Sequence, residues 1–128
     1  MNALLDTHVL LWFLAGDKRL SAAARKVFES PDNALLFSAV SAIEISLKFA
    51  RGNLKLPQSP NELIPRVISE LGLLPISIEI KHALQLCSLP QHHSDPFDRL
   101  LVAQAKYEGL PILTNDRLIR RYDVQIIW

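Results

Sequence analysis

The chain has 128 residues, 49% hydrophobic and 21% charged, a balance that excludes a disordered tail and sets the expectation of one globular domain over residues 1–128. A formal net charge of +1 gives no global field to attract nucleic acid, so a partner of that kind needs a local patch. The single cysteine excludes a disulfide framework, and the longest apolar run, Val9 to Ala15, falls far short of a membrane span.

Ala3-Leu4-Leu5 reads as a buried strand with Asp6 at its carboxyl end, followed by a helix through Val9–Leu14 that Gly16 stops. Ser21 caps a second helix carrying Ala24, Val27 and Phe28, which ends before Pro31. Leu35-Leu36-Phe37 is the next strand. It leads into Ser41-Ala42-Ile43-Glu44, a capping-box pattern that would open a helix reaching Arg51 and Gly52. Asn53 to Ser59 is a loop before a helix from Pro60 to Leu71, which Pro65 threatens to shorten or kink. Leu74-Pro75-Ile76 fits an edge strand, since proline cannot donate to a central ladder. Ser77 is the expected cap of a helix through Ile80, Ala83, Leu84 and Cys87, which would bury the thiol.

After the break at Leu89-Pro90 and a loop holding His92 and His93, Asp95 and Pro96 form a strong helix start. Asp98 falls in the first turn of that helix, where free N–H groups favour a carboxylate. Gly109 ends it. A strand over Pro111–Thr114, a short helix over Asp116–Arg121 and a last strand over Val124–Ile127 complete the chain. Alternating strands and helices imply a mainly parallel sheet covered on both faces, whose site lies beyond the carboxyl ends of the strands.

That geometry gathers acids. Asp6 and Asp116 follow strands, and Glu44 and Asp98 are placed in the first turns of helices that start on the same side. Each has a structural reading as well: a turn aspartate, a helix cap, or one half of a capping box. Crowded carboxylates repel, so the four coexist only by sharing protons or binding a cation, and an all-oxygen donor set favours Mg²⁺ or Mn²⁺. Such a centre suits phosphodiester hydrolysis. Asp95 reads as a cap. His92 and His93 lack a partner at zinc-ligand spacing and are expected at the rim, and His8 is expected to turn toward the first helix. Arg99 could meet a carboxylate or a phosphate. Arg117, Arg120 and Arg121 read as a solvated basic face, and most of Trp12, Phe13 and Phe49 as core.

Leu4-Leu5-Asp6-Thr7-His8, Ser41-Ala42-Ile43-Glu44, Asp95-Pro96-Phe97-Asp98-Arg99-Leu100-Leu101 and Thr114-Asn115-Asp116 resemble the motif set of PIN domains. More narrowly, they resemble VapC-type toxin ribonucleases of bacterial toxin–antitoxin operons. The likeness runs in order from Leu4 to the C-terminus, and the Asp-Pro-Phe-Asp-Arg-Leu-Leu segment is its most specific part. It implies a PIN-like three-layer α/β/α sandwich with a central, mainly parallel sheet, and Asp6, Glu44, Asp98 and Asp116 around one or two Mg²⁺ or Mn²⁺ ions. Thr7, Asp95, Arg99, Thr114 and Asn115 are expected beside those acids or the substrate. It further implies cleavage of single-stranded RNA, a homodimer, and inhibition by a cognate antitoxin. A cytoplasmic setting without a membrane partner is the accompanying expectation. The competing readings are a non-toxin nuclease, a phosphatase, and a catalytically silent RNA- or protein-binding module. A phosphatase of the haloacid-dehalogenase kind wants a second aspartate two residues after Asp6, where this chain has His8.

Overall fold

A computed structural model describes residues 1–128. Its elements are β1 (Asn2–Leu5), α1 (Thr7–Ala15), α2 (Ala22–Glu29), β2 (Ala34–Ser38), α3 (Ala39–Ala50), α4 (Pro60–Leu71), β3 (Leu74–Ile76), α5 (Ile80–Leu84), α6 (Pro96–Glu108), β4 (Ile112–Leu113) and β5 (Ile126–Ile127). Short 3₁₀ turns over Gln85–Ser88 and Ile119–Arg121 add to these. The five strands form one sheet in the order β3-β2-β1-β4-β5, with every pairing parallel. Leu4 pairs with Leu36 on one side and Ile112 on the other, so β1 is central.

Strand alternation sends successive residues to opposite faces. Leu5 and Leu113 join a core with Val9, Leu10, Leu63 and Val67 of α1 and α4, while Leu4 and Ile112 join another with Leu101, Val102 and Ala105 of α6. Burial on both faces explains the continuous apolar runs of these strands. The strand order reverses between β1, which runs on to β2 and β3, and β4, which runs on to β5. Asp6 and Asp116 follow the two strands that flank this switch point, where α/β sheets leave a crevice.

Most element expectations hold, and the exceptions have local causes. α3 begins earlier than Ser41: Ser38 is its cap and accepts the Val40 N–H, so Ser41 and Glu44 lie inside the helix and form no capping box. α4 runs through Pro65 to a left-handed Gly72, its buried Leu63 and Val67 face compensating for the missing N–H. α5 is capped at Glu79 rather than Ser77, and after Leu84 the chain tightens into a 3₁₀ turn. That tightening rotates Cys87 off the apolar face and leaves it exposed. The segment after Asp116 forms only one 3₁₀ turn.

Because Ser38 holds the start of α3, Ser38→Ala is expected to lower the unfolding free energy by about 1 kcal/mol in urea titrations. A loss below ~0.3 kcal/mol would place the cap elsewhere.

Candidate active site

Asp6 leaves the end of β1 and caps α1, with its Oδ1 accepting the His8 N–H at 3.0 Å. Its Oδ2 accepts the Thr114 hydroxyl at 2.5 Å, and the same Thr114 oxygen accepts the Asp116 N–H at 3.0 Å. Thr114, completely buried just beyond β4, therefore ties the two strand-end aspartates together across the switch point. Thr7 donates its hydroxyl to Ser41 on α3 at 2.7 Å, fixing α3 against the start of α1. Asp116 Oδ1 accepts the N–H groups of Leu118 and Ile119, leaving Oδ2 to face the pocket.

The helix-borne acids complete the group. Asp95 caps α6, accepting from Phe97 and Asp98 N–H at 2.8 and 3.3 Å, and the first turn so fixed carries Asp98. Glu44 comes from the second turn of α3, and its Oε2 accepts from Lys48 Nζ at 2.5 Å. Glu44 and Asp98 are both buried, and Glu44 Oε1 and Asp98 Oδ1 have no hydrogen-bond partner. Two orphaned carboxylate oxygens inside a protein are rare and costly.

The electrostatics record the same crowding. Burial first, then the charges of Asp6, Asp95, Glu44 and Asp116, push the Asp98 carboxyl from an ordinary 3.8 to about 8. Oxygens of Asp98 and Asp116 lie within 4.8 Å of each other. Two full charges at such a separation repel by about 3.5 kcal/mol at an effective dielectric of ~20, enough to keep a proton on one of them. Lys48 answers part of this charge: burial pulls its ammonium down, and the Glu44 hydrogen bond with the charges of Glu44, Asp95 and Asp98 more than reverses that. The charges of Asp6, Glu44 and Asp116 all act on Asp98, so the four separated acids lie near one another. Their spare buried oxygens, an all-oxygen set of net negative charge, fit a hard divalent cation.

His93, expected at the rim, lies inside. Its Nε2 is 3.0 Å from Asp98 Oδ2 and 3.5 Å from Asp116 Oδ2, close enough for strong attraction but off the line of a hydrogen bond. Its Nδ1 accepts the Asp95 N–H, so a neutral His93 carries its proton on Nε2 and faces the carboxylates as a donor rather than as a ligand. The available sequence signal was the His-x-Asp spacing, in which the ring reaches the backbone two residues ahead. His8 differs from expectation too, its ring remaining 3.6 Å from Asp6 rather than turning into α1. The contact with Asp6 raises its value, burial opposes this, and the charges of Asp6 and Glu44 add to the rise against Lys48.

Arg99 does not reach the acids. Its guanidinium donates to the Pro90 carbonyl and the Tyr122 hydroxyl, stapling the loop before α6. Asn115 is exposed and accepts from Arg120, so it too stands outside the group. His92 packs edge-on against Tyr122. A second cluster, Glu79, His82 and Glu108, is internally paired: His82 accepts the Glu79 N–H and pairs with Glu108 at 2.7 Å, and Lys81 lies 3.7 and 3.6 Å from Glu79 and Glu108.

The PIN domain family model matches residues 3–125. Ribonuclease VapC22 of Mycobacterium tuberculosis (strain ATCC 25618 / H37Rv) is 29% identical over 122 residues, covering 94% of this chain and 92% of that protein. Among solved structures, VapBC2 from Rickettsia felis bound to a DNA fragment from its promoter aligns with a TM-score of 0.72 at 14% identity, over 100% of this chain and 99% of that one. A toxin–antitoxin complex from Klebsiella pneumoniae aligns with a TM-score of 0.63 at 19% identity, over 98% and 96% of the two chains.

The unfolded Asp98 ionises near pH 4 and the folded one near 8, so without metal the folded state binds the extra proton between these values and stability falls as pH rises through them. In chelating buffer the melting temperature of the wild type is expected to drop between pH 5 and 8 by at least ~4 °C more than that of Asp98→Asn, the equivalent of about 1 kcal/mol. Parallel curves would show that Asp98 does not hold the shared proton.

Proposed function

The chain belongs to the PIN domain family, and from that premise we propose that it is a divalent-metal-dependent endoribonuclease, the toxin of a toxin–antitoxin pair, cutting single-stranded RNA. The observation that carries the reading is the pair of buried, unpartnered oxygens, Glu44 Oε1 and Asp98 Oδ1, in an acid cluster at the sheet's switch point. The likeness to Ribonuclease VapC22 supports the choice of RNA. Residues 1–128 as one PIN-like domain, a homodimer and a cytoplasmic setting belong to the same reading.

Asp6, Glu44, Asp98 and Asp116 are the residues that would hold Mg²⁺ or Mn²⁺. The ion supplies charge stabilisation at phosphorus and a water of lowered pKa. The protein's own groups prepare the place. Thr114 and the His8 amide fix both oxygens of Asp6, and backbone N–H groups fix one oxygen of Asp116. Lys48 fixes one oxygen of Glu44, leaving the other directed inward. His93 presents its Nε2 proton at the edge of the acids, where a phosphate oxygen or a departing hydroxyl can take up that donor.

The antitoxin's seat is the cavity of about 420 Å³ between α1 and α4, with Leu11, Trp12, Leu63 and Val67 on its walls and Arg19 and Arg66 at its edge. An apolar floor with charged margins suits an amphipathic helix. His8 lines this cavity and its ring is 3.6 Å from Asp6, so a segment seated there lies close to the acids. The toxin–antitoxin complex among its structural neighbours supports this occupant.

Labelled single-stranded RNA is expected to be cut with Mg²⁺ or Mn²⁺ and spared with chelator. Asp6→Asn and Asp98→Asn should each reduce cleavage by ~100-fold or more while remaining folded. Metal-independent cleavage, or cleavage surviving both substitutions, contradicts the assignment; release of phosphate from monoesters alone favours a phosphatase, and RNA retention without cleavage a binding module. In cells, expression alone should arrest growth, and coexpression of a short adjacent reading frame should relieve it. Arg66→Glu is expected to weaken the relief while preserving the arrest; equal relief would place the antitoxin elsewhere.

A further inference from the structure

Glu44, Lys48 and Arg51 stand at positions i, i+4 and i+7 of α3 and its C-cap, which puts them in one stripe about two helical turns long. That stripe forms one wall of a cavity of about 390 Å³, and the polar Thr7, His8 and Asn53 and the apolar Leu11, Ile45 and Leu54 form the rest. The cavity shares Glu44 with the acid cluster. Its charge changes along its length. At the inner end Lys48 is bound to Glu44, and the two compensate each other. At the outer end Arg51 is exposed and takes part in no ion pair or side-chain hydrogen bond, unlike Arg19, Arg66 and Arg99. The N–H groups of Arg51, Gly52 and Asn53 are engaged by the last carbonyls of α3, so an anion arriving here meets side-chain donors only. A guanidinium with open donors at the mouth of a recess is suited to bind a phosphate through paired N–H groups.

We propose that this cavity is a phosphate-binding subsite for the RNA strand, in which Arg51 holds a backbone phosphate up to three nucleotides from the linkage that is cut. Seven residues of helix span ~10.5 Å, the rise of about three stacked nucleotides. The held phosphate is therefore up to three nucleotides from the acids. Arg51 is a positioning residue: it touches the substrate strand but not the reacting linkage, and its contribution appears in binding. The proposal rests on the nuclease reading for the identity of the anion, and its tests separate the two.

The test compares wild type, Arg51→Gln and, as a control for general charge loss, Lys26→Gln on exposed α2, using a single-stranded hexanucleotide RNA with Mn²⁺. Arg51→Gln is expected to raise KM roughly three- to tenfold with kcat unchanged. Its dependence of log KM on log salt should flatten by ~0.7, the loss of one phosphate contact on a single strand. Lys26→Gln should match the wild type. A second readout needs no cleavage: anisotropy of the fluorescent hexanucleotide on the Asp98→Asn background, where adding Arg51→Gln should weaken binding by the same factor. Unchanged KM and unchanged binding, or a loss confined to kcat, overturns the subsite. Arg51-dependent binding by a protein that never cuts RNA upholds the subsite and overturns the nuclease reading instead.

Discussion

Negative charge confined at the sheet's switch point is the constraint around which the rest of the molecule is arranged. Asp98 is buried among four other carboxylates and keeps its proton to about pH 8. Nothing in the hydrophobic cores requires this, and every general rule of stability opposes it. The surrounding polar groups hold the acids in place without neutralising them. Thr114 clamps Asp6, Thr7 ties α1 to α3 through Ser41, and Asp95 sets the first turn of α6. Lys48 bonds to Glu44, the rings of His8 and His93 lie against Asp6 and Asp98, and two buried carboxylate oxygens still lack partners.

The all-parallel sheet makes such a concentration attainable. Parallel strands end on the same side, and the helices that follow begin there, so chain ends of β1 and β4 and the early turns of α3 and α6 converge without any long loop. The two apolar cores on the sheet's faces supply the rigidity that keeps the acids from moving apart. Stability is thereby exchanged for a preformed group of crowded acids. Of the two cavities near the acids, one has a mainly apolar floor between α1 and α4, and the other carries Glu44, Lys48 and Arg51 along one wall.

Much of this was legible from residue order because the relevant signals are local. Asp95-Pro96-x-Asp98 names its own helix start, and apolar triplets followed by Asp6 or Thr114 name their strand ends. What failed depended on tertiary context. Ser41 and Glu44 have the spacing of a capping box, but Ser38 outcompetes Ser41 because β2 delivers the chain to α3 three residues earlier. His93 looked peripheral because its partners, Asp98 and Asp116, lie five and twenty-three positions on and meet only at the switch point. Arg99 sits beside Asp98 in sequence, yet neighbouring positions on a helix face different directions, and it points to Tyr122. Cys87 was misplaced for a related reason, since a helix that tightens to 3₁₀ no longer follows the α-helical period.

The central claim is that crowded acids share a proton until a divalent cation takes its place. Calorimetric titration of the protein with Mn²⁺ at pH 7, repeated in buffers of different ionisation enthalpy, measures that exchange directly. Saturable binding that releases about one proton per protein is the predicted result, with the release lost in Asp98→Asn. Binding without proton release, or no binding at all, would contradict the account.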